Sequence, residues 1–144
     1  MPTIRPIALA VPRRGTDLLV FEYHDATKVE TFYRPLGGGI EFGETAEAAV
    51  RRELREELAA ELLDVRLLGV LENIFHAFGR PGHEVVFVFD CRLADPTRYA
   101  QDTVGPVLDD PAATVLWRAL DSFGTDAPLY PQGLAELLRQ AWGG

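Results

Sequence analysis

Three glutamates, Glu53, Glu56 and Glu57, stand at positions i, i+3 and i+4. On an α-helix that spacing brings their carboxylates onto one face. Like charges so placed repel by roughly 0.2–0.5 kcal/mol per pair even when exposed. A cluster of hard anionic oxygens, with no thiolates or grouped imidazoles beside it, is what Mg²⁺, Mn²⁺ or Ca²⁺ prefers. Arg52 adjoins Glu53 and lies four residues before Glu56, so it can hold one carboxylate in a bidentate pair and leave the others free. Upstream, Gly37-Gly38-Gly39 leads into the same segment. Three consecutive glycines forbid a helix and permit positive φ or close backbone approach. A turn of that kind can set backbone N–H groups against an anion. Carboxylates and glycine turn together suggest a phosphate-bearing ligand, such as a diphosphate bridged by Mg²⁺.

Acidic helices are also common as solvated surface, with arginines such as Arg51 or Arg55 pairing across one turn. Register with the glycine turn decides between the two readings. The stretch from Gly38 to Ala60 resembles the Nudix box, G-x5-E-x7-R-E-U-x-E-E-x-G-U, where U is a bulky apolar residue. Gly38, Glu44, Arg52, Glu53, Leu54, Glu56 and Glu57 all fall in register. The flanks are similar to the family's as well: Leu36 to Glu41 resembles its lead-in, Trp117 stands where the last strand often carries Trp, and Tyr130-Pro131 precedes the last helix. Two departures stand out. Ala59 replaces the box glycine, followed by only Ala60 at the final apolar position, and Pro35 lies one position before the usual lead-in proline. A left-handed Ala59 would cost about 1 kcal/mol. Either the helix runs on toward Leu62 or Ala59 bears that strain.

The resemblance implies an α/β (α+β) fold, a Nudix-type α/β/α sandwich with a mixed central sheet, a catalytic loop–helix unit and a C-terminal helix, in one domain over residues 1–144. It implies a Mg²⁺- or Mn²⁺-dependent pyrophosphohydrolase that cleaves a nucleoside diphosphate linked to another moiety by water attack on phosphorus. By the same carry-over, Glu56 and Glu57 are metal ligands, Glu53 is a ligand or the general base, and Arg52 orients the catalytic carboxylates. Gly38 or Gly39 lends a backbone carbonyl to the metal, while Gly43 and Glu44 are structural members of the box. Many members add a carboxylate from the loop before the last strand. Asp110, with Asp109 beside it, is best placed for this, and Glu84 is the alternative; either aspartate also suits a turn next to Pro111. A competing class is a catalytically weak Nudix-fold nucleotide-binding or sensor domain, but such members usually lose box glutamates and here all are present.

Candidates for the rest of the substrate are Arg34, to grip a terminal phosphate, and Phe75 or Phe78, with Phe32 and Tyr33, to stack on a base. Each also suits plain strand packing. His76 and His83 are candidates for phosphate contact or proton transfer. The markers of ADP-ribose, dinucleoside polyphosphate and NADH hydrolases that lie downstream of the box in this family are absent, so the substrate class stays open.

The elements that must position these groups can be read from periodicity. Thr45 is a good N-cap for a helix whose Val50, Leu54 and Leu58 repeat every four residues, so that the acidic face lies beside an apolar stripe. Ile4 to Val11 reads as a strand near a sheet edge, forming a hairpin with Leu18 to Tyr23 through a turn at Arg13–Asp17. His24 to Thr31 reads as a loop. Val65 to Phe75 and Glu84 to Leu93 read as strands around a turn over His76–His83, the second strand buried on both faces. Asp95 to Ala113 reads as a long loop, Thr114 to Ala119 as the last strand, and Gln132 to Trp142 as an amphipathic helix burying Leu134, Leu137, Leu138 and Trp142.

Composition narrows the partners. The chain has 144 residues and a formal charge of -8, with 22 acidic against 14 basic side chains. Seven of the twelve glutamates lie between Glu41 and Glu61, a local excess that calls for solvent or a ligand of opposite charge. No basic run exceeds a pair, so a nucleic acid polymer is not expected as a partner. No apolar stretch reaches the roughly 18 residues of a membrane span, and the first residues lack a signal-peptide pattern. Cys91 is the only cysteine. The expectation is a cytoplasmic domain acting on a small nucleotide, with a homodimer plausible from the family.

Overall fold

The computed structural model describes residues 2–143. In chain order the elements are β1 (Arg5–Ala10), β2 (Arg13–Arg14), β3 (Asp17–Asp25), β4 (Glu30–Gly39), α1 (Ala46–Leu58), β5 (Leu62–Ala77), β6 (Arg80–Leu93), β7 (Thr114–Ala119) and α2 (Leu134–Trp142), with 3-10 turns at Pro96–Ala100 and Leu120–Ser122. The strands run in the order β2-β3-β4-β1-β6-β5, with β7 on the other edge of β3. β1 is parallel to β6, and all other pairings are antiparallel. The mixed sheet with a helix on either face is the α+β sandwich expected.

β1 is not an edge strand and makes no hairpin with β3. It lies between β4 and β6, and the hairpin at Arg13–Asp17 joins β2 to β3 instead. The reason is burial on both faces. Ala8 and Ala10 face a core shared with Val50, Leu54 and Leu58 of α1, whereas Ile7, Leu9 and Val11 face a second core with Leu134 and Leu138 of α2. A strand with two apolar faces belongs mid-sheet. Its prolines sit at the margins, Pro6 near the start and Pro12 beyond the end.

Two expected loops shrink. The strands β5 and β6 stay paired up to Ala77↔Arg80, leaving only Phe78 and Gly79 as a turn. Both have positive φ, 54° and 77°, the geometry whose twist matches that of a two-stranded ribbon. Likewise β3 extends to Asp25 and β4 starts at Glu30, so the polar loop between them is four residues long. The helix α2 starts at Leu134, two residues later than expected, after Gly133 at φ 89°. It fully buries Leu134 and Leu138, with Leu137 and Trp142 partly covered.

The helix α1 follows its sequence signals. Thr45 accepts the Ala48 N–H on its side-chain oxygen at 3.1 Å, and Val50, Leu54 and Leu58 are at most 1% exposed. The helix does not run on to Leu62. Ala59 turns left-handed at φ 53°, its N–H reaching Arg55 O at 2.8 Å, while Ala60 N–H reaches Leu54 O at 3.2 Å. Those two bonds satisfy the last carbonyls and hold the alanine in its strained conformation.

Candidate active site

The glycines do not form a free turn. They are the last residues of β4, with Gly37, Gly38 and Gly39 opposite Leu9, Ala8 and Ile7 of β1. Gly37, at φ 145°, lies so close to β1 that a Cβ would stand 2.0 Å from Ala8 O. Gly38 serves the helix: a Cβ there would fall 2.5 Å from the carboxyl carbon of Glu53. The missing side chain is the space that the Glu53 carboxylate occupies.

Arg52 ties this strand end to α1. Its Nε and Nη2 hold both oxygens of Glu44 at 2.8 and 3.0 Å, so the bidentate partner is Glu44 and not the Glu53 or Glu56 expected from their nearness in sequence. Nη2 also donates to Gly39 O at 2.9 Å, and Nη1 donates to Glu53 at 2.9 Å and to Glu56 at 3.2 Å. One planar guanidinium thus fixes two carboxylates of the cluster and the chain that faces them. Its bond to Glu44 is the main reason the Glu44 carboxyl lies below its ordinary range. Glu44 in turn accepts Glu41 N–H at 3.1 Å, which, with Gly43 at φ 85°, shapes the loop into the helix.

Glu57 is withdrawn from solvent. It is 5% exposed and accepts the Gly37 N–H at 3.1 Å. Burial, then the charges of Glu53 and Asp109, push its carboxyl up to about 9. Burial also raises Glu53, partly offset by Arg52. Two acids kept from ionising freely beside a third form a site short of positive charge.

Among the described residues, no three His, Cys, Asp or Glu side chains are drawn together closely enough to hold a metal ion as they stand. Arg52 engages Glu53 and Glu56 instead. The donor chemistry nonetheless suits Mg²⁺ or Mn²⁺: Glu53, Glu56 and Glu57 offer only hard oxygens, Gly38 adds a backbone carbonyl in the same strand end, and a cation would favour the ionised form of buried Glu57.

The loop before β7 docks on the end of α1 through Leu108 N–H to Glu57 O at 2.8 Å. This brings Asp109 within electrostatic reach of both Glu53 and Glu57. Asp110 caps its own turn, its Oδ1 accepting Ala112 N–H at 3.2 Å.

A cleft of about 670 Å³ opens between the β3–β4 and β5–β6 hairpins. Phe32, Phe75, Phe78 and Tyr130 supply aromatic walls, and Arg5 and Arg80 line it as well. Phe75 packs over Gly82, where a Cβ would meet its ring at 2.2 Å. Phe78 is half exposed at the hairpin tip, its ring 5.9 Å from Phe32. A separate cavity of about 130 Å³ shares Arg5, Tyr23, Arg34 and Glu84 with this cleft and is lined also by Gly37 and Gly38. His76 and His83 line the cleft too. Arg34 is there but is not free: its Nη2 donates to buried Glu84 at 2.7 Å, the two side chains being 20% and 4% exposed. Glu84 therefore faces Arg34, not the carboxylate cluster. Asn73, unremarked in the sequence, lines the same cleft; a buried amide in an apolar strand was the available signal.

The family description "NUDIX domain" matches residues 3–140. The chain belongs to the Nudix family. Membership carries the enzyme class expected from the sequence, a hydrolase acting on phosphoanhydrides. The chain is 33% identical over 115 residues to the NAD-capped RNA hydrolase NudC of Mycobacterium tuberculosis, and the same figures hold for that of Mycobacterium bovis. The match covers 74% of this chain and 36% of those proteins, so the chain spans about a third of the length of the curated relatives it matches. Among solved Nudix structures, the MutT NUDIX hydrolase from Burkholderia pseudomallei superposes with a TM-score of 0.68 at 25% identity, over 94% of this chain and 96% of that one. The E. coli ORF135 protein shares the fold, with a TM-score of 0.59 at 20% identity over 98% and 94% of the two chains. No helix among the described residues is long and apolar enough to cross a membrane.

Proposed function

We propose that this Nudix domain is a Mg²⁺- or Mn²⁺-dependent pyrophosphohydrolase for a nucleoside diphosphate linked to another moiety. The observation that carries the reading is the Arg52 hub, which sets Glu53 and Glu56 against Gly38–Gly39, with the aromatic cleft lying further along β4 past Arg34. Glu53, Glu56, Glu57 and the Gly38 carbonyl are the proposed metal-holding groups, with a carboxylate of the Asp109-Asp110 pair as a further one. A bound divalent ion would neutralise the diphosphate oxygens and make water a better nucleophile at neutral pH.

The chain's own residues do the rest. Glu53, with its carboxyl raised by burial, is the proposed acceptor of the proton from the attacking water. Arg52 holds Glu53 and Glu56 in a fixed orientation so that this proton has one destination. Arg34, Phe75 and Phe78 are proposed to receive the substrate's non-reacting part, with Arg34 kept in place by Glu84. The reaction breaks one P–O bond of the anhydride, the water oxygen taking its place on phosphorus and the leaving phosphate departing with its electron pair. The substrate named for NudC, NAD-capped RNA, falls within the linked-diphosphate class, and the acidic surface of this chain favours the small-molecule members of that class.

The test is release of nucleotide or phosphate from a panel of nucleoside diphosphate derivatives with Mg²⁺ or Mn²⁺. Turnover of at least one compound, abolished in E57Q, supports the reading. No turnover of any compound, together with unaltered metal binding in E57Q, sinks it.

A further inference from the structure

The cleft contains one polar group that phosphate chemistry leaves unused. Asn73, in the middle of the largely apolar strand β5, is 3% exposed and lines the cleft. Its Oδ1 is fully shielded and has no hydrogen-bond partner among the described residues. An amide oxygen buried without a partner is destabilising, so its presence calls for a compensating role. Its neighbours do not supply one. Glu84, directly across on β6, brings only acceptors and is taken up by Arg34 at 2.7 Å.

What surrounds Asn73 is flat and apolar. Two residues on, Phe75 is held against Gly82, and Phe32 stacks edge-on to Tyr130 at 5.5 Å and lies 5.9 Å from Phe78. A ligand that fits these walls has an aromatic ring, and one that satisfies Asn73 has a polar edge on that ring. A carboxamide presents an acceptor beside a donor, and nucleobase edges present the complementary adjacent pair. A sugar hydroxyl could satisfy the amide but leaves the aromatic walls unfilled.

We propose that Asn73 is the specificity-determining residue of a nucleobase subsite, its carboxamide pairing with the edge of a base that packs against Phe75 and its aromatic neighbours. This deepens the nucleotide reading above and rests on it for the kind of ligand. It assigns base selection to β5, remote in sequence from the box.

The experiment is calorimetric titration of the full chain, wild type and N73L, with the 5′-monophosphates of adenosine, guanosine, cytidine and uridine, and with ribose 5-phosphate. Thermal unfolding of both proteins is recorded alongside. The wild type is expected to prefer one base, and N73L to bind that nucleotide about tenfold to hundredfold more weakly. Ribose 5-phosphate affinity stays unchanged. Because Leu removes an unpaired buried amide, Tm is expected to rise by about 2–4 °C. A weaker ligand in a more stable protein is an outcome that a merely structural Asn73 does not give. Equal affinity of N73L and wild type for every nucleotide, equal loss for nucleotides and ribose 5-phosphate, or no binding of any base-bearing ligand would overturn the proposal. Since binding is read directly, a failure of turnover strikes the hydrolase reading alone.

Discussion

The carboxylate of Asp25, at the end of β3, accepts the backbone N–H of Phe78 at 2.7 Å across 53 residues of sequence. The same carboxylate accepts the Thr27 N–H at 3.0 Å and its hydroxyl at 2.6 Å. One side chain therefore pins the tips of both hairpins over the cleft. These bonds, the Thr27 hydroxyl first, hold the Asp25 carboxyl below its ordinary 3.8. A depressed carboxyl contributes stability that is complete above the ordinary value and is lost as pH falls through the folded one. D25N should thus unfold at lower temperature than wild type above about pH 5. The gap should close as pH drops below 3.8. Unfolding curves from pH 2 to 7 check this, and a gap that is constant across the range would rule it out.

Glu57 is predicted to have the opposite dependence. Its carboxyl is raised from 4.5 to about 9, so the metal-free folded state gains from its proton. That gain is complete below the ordinary value and is lost as pH climbs toward 9. Metal-free Tm should therefore fall between these limits, more steeply than in E57Q. Saturating Mg²⁺ should flatten the fall, and its binding should release protons at pH 7. Calorimetry in two buffers of different ionisation enthalpy measures that release; its absence would speak against Glu57 as a ligand.

Arg52 makes a fork that lysine cannot copy. R52K keeps the charge but gives up the bidentate hold on Glu44 and at least one of the bonds to Glu53 and Glu56. The expected result is a loss in kcat of about tenfold to hundredfold, with KM little changed. Steady-state kinetics on a turned-over substrate decide it, and a pure KM effect would contradict it.

Gly38 leaves the space that Glu53 fills. G38A puts a methyl group 2.5 Å from the Glu53 carboxyl carbon, and the flexible acid end yields before the sheet does. Activity should drop by at least about tenfold, while Tm changes by only a few degrees. A collapse in stability with unaltered specific activity of the folded fraction would argue that the contact matters only for folding.

Ala59 carries a left-handed conformation suited to glycine. A59G should stabilise the chain by about 0.5–1 kcal/mol, or some 2–4 °C in Tm, without altering kcat. Thermal melts of the two proteins suffice, and a lower Tm for A59G would show that the alanine methyl packs usefully.

Much of the site was legible because the box is local. Helix α1, its Thr45 cap, its apolar stripe and the nearness of Arg52 to Glu53 and Glu56 all follow from spacing within a few turns, whereas the Arg52–Glu44 fork needs the loop to fold back on the helix. Harder to foresee was anything set by strand order. That β1 lies mid-sheet depends on two cores closing over it; its unbroken apolar run is compatible with burial on both faces but does not say which strands flank it. The burial of Glu57 depends on β4 passing beside the helix, and the capture of Arg34 by Glu84 on a bond across 50 residues. Asn73 shows in the sequence only as an amide within an apolar strand; that its Oδ1 is buried without a partner depends on the fold.

One strand, β4, runs from the cleft to the carboxylates, pairing first with β3 and then with β1. From Arg34 to Gly38 it advances four residues, about 13 Å at the usual rise of an extended chain. Held by β3 at its start and by β1 at its end, that span keeps a fixed length. For the linked diphosphate proposed above, that spacing sets the length a ligand would need in order to reach both ends.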